Sequence, residues 1–276
     1  MKMSQKPRFR CKILPRRKEL PFARSSRRNM NFSEQISRLQ EIYDNSKNIV
    51  FFGGAGVSTE SGIPDFRSQD GLYAQQWKYP PETIISRSFF DRDTKEFYRF
   101  YRQKLIVRDA KPNAAHIALA KMEQKGKLSA IVTQNIDGLH QKAGSKNIFE
   151  LHGSTLRNFC MDCGEPYDVQ FISESENSPD TLPHCTKCGG LVKPDVVLYE
   201  EGLNDSILNG AVEAISSADT LIIGGTSLVV YPAAGLIRYF RGNNLVLINK
   251  SETSTDQYAQ LVIHDSIGKV FSALKI

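Results

Sequence analysis

The sequence predicts an α/β fold, a doubly wound parallel sheet interrupted by a small metal-binding module. Three observations carry this. Four short apolar runs, at 48–52, 128–132, 219–223 and 245–248, have the length and the β-branched or aromatic content of buried strands. Each ends in Gly, Asn, Ser or Thr, and segments with helical spacing separate them. Between the second and third runs lie two Cys-x-x-Cys pairs.

At 276 residues the chain can bury a sizeable core, with room for one large domain and a smaller insert. Its 40% hydrophobic and 24% charged residues are ordinary for a globular protein. No apolar run approaches the ~18 residues needed to span a bilayer, so no membrane partner is expected. The net charge of +6 is local. Residues 1–30 hold eleven Lys or Arg and one acid, Glu19, whereas the remainder holds 25 Lys or Arg against 29 acids. A mildly acidic body thus carries a basic tail. The tail lacks apolar periodicity and is expected to be disordered. It has no h-region of a secretory signal. Its Arg and Ser content resembles a transit peptide or an arm that contacts nucleic acid, a partner expected for no other part of the chain. The plainer reading is an upstream extension without a role. Met30 precedes Asn31-Phe32-Ser33-Glu34, which looks like a natural start with Ser33 as a helix N-cap.

From Phe32 to Asp44, Ile36, Leu39, Ile42 and Tyr43 recur at helical spacing. The run Asn48-Ile49-Val50-Phe51-Phe52 then delivers Gly53-Gly54-Ala55-Gly56-Val57-Ser58-Thr59-Glu60-Ser61-Gly62-Ile63-Pro64-Asp65-Phe66-Arg67. Glycines at a strand end let backbone approach a phosphate, and a following helix N-terminus attracts negative charge, so a nucleotide is expected. The dehydrogenase fingerprint G-x-G-x-x-G is incomplete, because Thr59 stands where the third glycine belongs. Nor does a strand ending in an acid follow about twenty residues on. Gly71, Trp77, Pro80 and Pro81 mark loops. Phe89-Phe90 and the aromatics from Phe97 to Tyr101 form a helical flap, over about 70–106, expected beside the nucleotide loop. Pro112 to Met122 reads as another helix. The second strand ends in Thr133-Gln134-Asn135-Ile136-Asp137, the third in Gly224-Gly225-Thr226-Ser227, and the fourth in Asn249-Lys250. Polar groups at the carboxyl ends of parallel strands line the crevice where α/β proteins bind ligands.

Cys160-Met161-Asp162-Cys163 and Cys185-Thr186-Lys187-Cys188 are two knuckles, each followed by a glycine, Gly164 and Gly189. Two such turns complete a tetrahedral Cys₄ zinc site. Four protein ligands leave no open position, so the zinc is expected to be structural. A redox-active pair is the alternative for one Cys-x-x-Cys, but two in one short insert argue against it. Disulfides are not expected without a secretory signal, and Cys11, in the tail, is expected to be free. The candidate acid or base is His152, just before the module, at a junction where clefts form. His116 and His184 read as ordinary core or surface residues, and His264 as at most a backbone contact.

In this order, the glycine loop through Arg67, Thr133-Gln134-Asn135-Ile136-Asp137, Leu151-His152-Gly153, the paired knuckles and Gly225-Thr226-Ser227 resemble the sirtuins. These are NAD-dependent protein-lysine deacylases, and the match is to the bacterial, zinc-containing type. The resemblance runs from about Asn31 to Ile276. It implies a Rossmann-like domain at 31–156 and 190–276, a zinc module at 157–189, and acetyl-lysine proteins or peptides entering the cleft between them. A cytoplasmic enzyme is expected.

By the same resemblance NAD is a consumed co-substrate rather than a hydride carrier, which accounts for the broken fingerprint. Gly54, Ala55 and Gly56 would cradle the pyrophosphate, with Arg67 adding charge. Thr59, Asp65 and Gln134 would complete the pocket. Gly225, Thr226, Ser227, Asn249 and Lys250 would hold the adenosine half, with Ser266 and Ile267 near the adenine. Asn135 and Asp137 would bind the nicotinamide carboxamide, and Phe66 would shield the ribose carbon. His152 would take a proton from the ribose hydroxyls. Val197 would touch the acyl group, with Tyr199 beside it. The products would be nicotinamide, acetyl-ADP-ribose and free lysine.

Two places depart from the family. Glu200 stands where many members have Gly, which leaves the local loop conformation open and could favour basic peptides. The flap reads Tyr98-Arg99-Phe100-Tyr101 where relatives that remove succinyl groups carry Tyr-x-x-Arg. An ADP-ribosyltransferase using the same NAD site is the alternative activity. A non-catalytic NAD binder is a third, opposed by His152, because binding needs no base.

Overall fold

The structure, a computed structural model, describes residues 30–68, 71–74 and 77–276. The basic stretch 1–29, with Cys11, lies outside them. Helix α1 (Phe32–Asn45) opens on a capping box. The Asn31 side chain accepts from the Glu34 N–H, and the Glu34 carboxylate accepts from the Asn31 N–H. The cap is therefore Asn31 rather than Ser33, since only Asn31 has a Glu three residues on.

The chain continues through β1 (Ile49–Gly53), α2 (Pro81–Ile84), α3 (Arg87–Arg92), α4 (Thr94–Lys104), α5 (Ala114–Gln124), β2 (Leu128–Thr133), α6 (Leu139–Lys142), β3 (Ile148–Glu150) and β4 (Gly153–Cys160). It then forms β5 (Pro166–Tyr167), α7 (Val169–Glu174), β6 (Val192–Val196), α8 (Asp205–Ser217), β7 (Thr220–Gly224), β8 (Asn244–Ile248), β9 (Leu261–Ile263) and α9 (Ile267–Ser272).

Six strands make one parallel sheet in the order β3-β2-β1-β7-β8-β9. Starting at β1, the chain winds outward through β2 to β3. It then returns to β7 and winds the other way, so the reversal falls between β1 and β7. The four anticipated strands are the central ones. The edge strands β3 and β9, three residues each, are too short to show a pattern. Alternation along β1 sends Ile49 and Phe51 to the face covered by α1, α5 and α9, and Val50 and Phe52 to the face covered by α8.

A third core has a different composition. Phe89, Phe90, Phe97, Tyr98, Phe100 and Tyr101, from α3 and α4, pack with Cys160, Ile172, Cys185, Val192, Val196 and Leu198. The flap therefore shares its interior with the cysteine module rather than with the sheet. The Tyr98 hydroxyl donates to the Val192 carbonyl. Arg102 reaches the carbonyls of Ile172 at 2.9 Å and Thr181 at 2.8 Å. The module has its own antiparallel sheet, β5-β4-β6, which extends from Gly153 to Val196, beyond 157–189 on both sides. Gly153 pairs with Val196, so the chain enters and leaves the module at one place. No described helix is long and apolar enough to cross a membrane.

Candidate active site

At the reversal point β1 and β7 end side by side, Gly53 opposite Gly224. The loops that follow are seated on each other. The Gly54 N–H donates to the Gly224 carbonyl at 3.2 Å, and the Gly56 N–H to the Gly225 carbonyl at 2.8 Å. Gly225 has φ +60, and a Cβ there would lie 2.4 Å from the Val57 nitrogen. These glycines first serve loop-to-loop contact. The loop continues as two short 3₁₀ turns, Ala55–Val57 and Thr59–Ser61, so the α-helix expected directly after it is absent. Thr59 Oγ1 donates back to the Gly56 carbonyl at 3.1 Å. Glu60 ties the loop to α9 by accepting the Gly268 N–H at 2.7 Å and the Ser266 hydroxyl at 3.2 Å.

The polar end of β2 meets this loop from the side. The Gln134 N–H donates to the Gly53 carbonyl at 3.0 Å, and its side-chain amide donates to Thr226 Oγ1 at 3.1 Å. The Gln134 carbonyl lies 3.0 Å from His152 Nδ1. A carbonyl only accepts, so Nδ1 carries the proton and Nε2 is left as the basic nitrogen. Burial holds the His152 pKa below the usual imidazole value, partly offset by the Gln134 carbonyl, so the ring is neutral near pH 7. Asn135 is 8% exposed, and its side-chain amide donates to Ser58 Oγ at 3.1 Å. The Ser58 hydroxyl donates in turn to Asp137 at 2.6 Å. This relay holds Asn135 and Asp137 together. Ser58, 1% exposed, is the residue that motif reasoning passed over. Its signal was a hydroxyl two residues past Gly56, in a loop facing the polar end of β2.

The remaining site residues are more scattered. Asp65 folds its own turn, its carboxylate accepting the N–H groups of Arg67 at 2.8 Å and Ser68 at 2.7 Å. Phe66 meets Tyr73 edge to face at 5.7 Å, and the Arg67 guanidinium lies 5.5 Å from the Tyr73 ring centre. The Tyr73 hydroxyl is 2.9 Å from that of Tyr199. The Val197 N–H donates to the carbonyl of His152 at 3.0 Å. Both backbone groups of Tyr199 are taken by the flap, its N–H by Ile85 and its carbonyl by Arg87, each at 3.0 Å. Ser227 and Lys250 are exposed, and Asn249 closes a turn onto the Ser251 carbonyl at 2.8 Å. Ile267 is 3% exposed and packs in the core against Gly224. His264 makes the expected backbone contact, to Asn249 at 3.2 Å, and also pairs with Asp256 at 3.4 Å. His116 and His140 are buried with ring centres 4.8 Å apart.

The four knuckle cysteines converge. Their sulfurs lie within 4.8 Å of one another, with Cys160 to Cys188 at 3.5 Å and Cys163 to Cys185 at 3.6 Å. Thiolates about 2.3 Å from a tetrahedral zinc stand about 3.8 Å apart, so the set fits this ion. The two turns are built alike. Gly164 and Gly189, with φ +72 and +80, return their N–H groups to the carbonyls of Cys160 and Cys185 at 3.0 and 2.9 Å. The Tyr167 hydroxyl donates to Cys185 Sγ at 3.2 Å, an outer contact of the kind that orients metal ligands.

Comparison with known proteins agrees with this geometry. The model of the Sir2 family matches residues 54–232. An NAD-dependent protein deacetylase of Clostridium acetobutylicum is 64% identical over 243 residues, covering 87% of this chain and 98% of that protein. Its namesake from Clostridium perfringens is 67% identical over 240 residues, covering 86% and 97%. Among solved structures, a Sir2 protein with a deacetylated p53 peptide and 3′-O-acetyl ADP-ribose superimposes with a TM-score of 0.79 at 38% identity, covering 86% and 96% of the two chains. A Sir2 protein bound to acetylated peptide gives 0.77 at 37% identity, covering 86% and 95%. The family match over most of the chain and the identity to these relatives show that the chain, with its paired-glycine reversal point, neutral histidine and four-thiol module, belongs to the Sir2 family.

Proposed function

We propose that this protein is an NAD-dependent protein deacetylase, moving the acetyl group of acetyl-lysine proteins or peptides to NAD and releasing nicotinamide. The observation that carries the mechanism is the setting of His152. Its ring is neutral and oriented by the Gln134 carbonyl, while its own carbonyl accepts the Val197 N–H. One main-chain hydrogen bond therefore ties the residue that carries the base to the segment that would receive the acyl-lysine. In this reading Asn135 and Asp137, joined by Ser58, grip the carboxamide that leaves. Gly54, Ala55, Gly56, Thr59 and Asp65 with Gly225, Thr226 and Ser227 form the NAD floor, and Phe66, Arg67, Asn249, Lys250 and Ser266 close it. The acyl oxygen bonds to the ribose carbon that nicotinamide leaves; His152 Nε2 then takes the ribose hydroxyl proton, that oxygen bonds to the acyl carbon, and water displaces the lysine amine there. Cys160, Cys163, Cys185 and Cys188 would hold zinc with four thiolates, so that the ion would contribute to folding of the module and no Lewis acidity. A cytoplasmic location suits thiolates that need reducing surroundings.

The test is turnover of an acetylated peptide with NAD, followed by mass of the products. His152→Ala is expected to lower kcat by ~10²–10⁴-fold with NAD binding retained. Near-normal turnover by that variant would remove His152 from the mechanism. Label passing from NAD to protein, without acetyl-ADP-ribose, would favour ADP-ribosyl transfer at the same site.

A further inference from the structure

We propose that Glu200 is a positioning residue whose carboxylate clamps the acyl-lysine strand to the flap, so that α3 and residues 197–201 meet the substrate as one piece. This rests on the reading of that strand as the peptide-binding edge. Glu200 has φ +77, the left-handed region where a Cβ crowds the backbone. A residue other than glycine persists there only when its surroundings over-determine it. The determining contacts are visible. Glu200 accepts the Ser88 N–H at 2.8 Å with one oxygen and the Ser88 hydroxyl at 2.9 Å with the other.

Ser88 is the second residue of α3, and helix starts leave their first amides without partners inside the helix. Here the Arg87 N–H donates to the Tyr199 carbonyl at 3.0 Å, the Ser88 N–H to Glu200, and the Phe89 N–H to Ser86 Oγ at 3.2 Å. Two of the first three amides of α3 are thus satisfied by consecutive residues of another segment. Each segment holds the other in place. Glu201 repeats the arrangement, accepting the Leu198 N–H at 2.8 Å, the Lys193 ammonium at 3.2 Å and the Arg87 guanidinium at 3.3 Å. Both contacts of Glu200 are to neutral groups of Ser88, so they set the position of the segment and leave the charge of Glu200 in place.

Ser88→Ala and Glu200→Gly, alone and combined, test the clamp. Each is expected to raise the peptide KM on the order of fivefold with kcat and the KM for NAD unchanged; that factor corresponds to about 1 kcal/mol, as for a lost helix cap. The double variant is expected to match Glu200→Gly, because that variant already removes both contacts, whereas Ser88→Ala removes the hydroxyl contact and keeps the main-chain one. Glu200→Gln keeps an acceptor for Ser88 and is expected to recover most of the loss. Glu200→Gly also relieves the left-handed strain, so wild-type or tighter peptide binding by that variant would overturn the proposal. So would an unchanged KM in Ser88→Ala, or effects that add. Amide exchange over residues 85–92 probes the clamp without turnover. Faster exchange in both single variants supports the clamp, and unchanged exchange overturns it. If exchange responds but the wild-type protein deacetylates nothing, the functional reading fails and the clamp stands.

Discussion

The parallel sheet and the flap-module unit solve the same problem, burying a core, by opposite means. The sheet distributes its stability. Aliphatic and aromatic side chains alternate to two faces, and every central strand is paired on both sides. The second unit concentrates its stability in few groups: a cluster of aromatic rings, four sulfurs around one point, and side-chain hydrogen bonds to single carbonyls. A distributed core yields gradually to substitution, whereas a concentrated one fails at particular atoms.

The largest break is at the metal. Cys160→Ser or Cys185→Ser is expected to release zinc, unfold the module and abolish deacetylation, since structural zinc contributes ~10–16 kcal/mol to small domains. A sheet-dominated thermal transition should survive in circular dichroism, and a variant that kept zinc and one unaltered transition would erase the contrast.

The two bodies also offer a matched pair of glycines. Gly225→Ala places a Cβ 2.4 Å from the Val57 nitrogen, whereas Gly164→Ala meets nothing within 4 Å, although both residues have φ between +60 and +72. The left-handed conformation alone costs roughly 1–2 kcal/mol. Gly164→Ala should show that cost in chemical denaturation, and Gly225→Ala distinctly more, with weaker NAD binding. Equal losses would mean that the loops at the reversal point can part freely.

Acyl choice sharpens the comparison on the flap side. Arg99 is paired with Glu96 at 2.6 Å, Arg102 is spent on the module, and the Tyr98 hydroxyl is given to Val192. A succinyl carboxylate would be buried without any of these cations, which is unfavourable. Acetyl-lysine should therefore be preferred by at least ~10-fold in kcat/KM, about 1.4 kcal/mol. Competition between acetylated and succinylated forms of one peptide measures this directly, and equal rates would refute it.

The remaining effect is pH-dependent and belongs to the side of the sheet. Burial, with His116 close by, pushes His140 down to about 3. Its folded pKa is below the unfolded value of about 6.5, so the unfolded chain binds the extra proton. The associated stability is complete above pH ~6.5 and is lost as pH falls toward ~3, with a slope of up to ~1.4 kcal/mol per unit. Replacing His140 with Gln should flatten that slope in urea titrations, and an unchanged slope would place the acid sensitivity elsewhere.

How much was legible in the sequence follows the same division. The central strands and the knuckles were readable, because a buried strand must be apolar along its length and a thiolate turn needs its glycine. The two edge strands were not, being three residues each. The flap was recognised as aromatic and helical and expected beside the nucleotide loop, whose Phe66 packs against its core, but the core it shares with the cysteine module was not foreseen. Periodicity shows that Phe97 and Tyr98 are buried, and cannot show against what. Within the site, Asn135, Asp137 and His152 came from motifs, whereas Ser58 was hidden inside one of them. Ile267, expected near the adenine by position, has its side chain in the core, which periodicity over so short a helix could not show. Glu200 broke a glycine pattern, and only the folded chain shows Ser88 compensating for it.

The pairing of Gly153 with Val196 has a consequence for how such a chain changes over generations. A detour that departs and returns at one spot leaves no net displacement in the path of the main chain. Residues at its far end, around 174–180, can be added, deleted or exchanged without moving the glycine loops of β1 and β7. The module and the sheet that carries the glycine loops are therefore free to drift at different speeds.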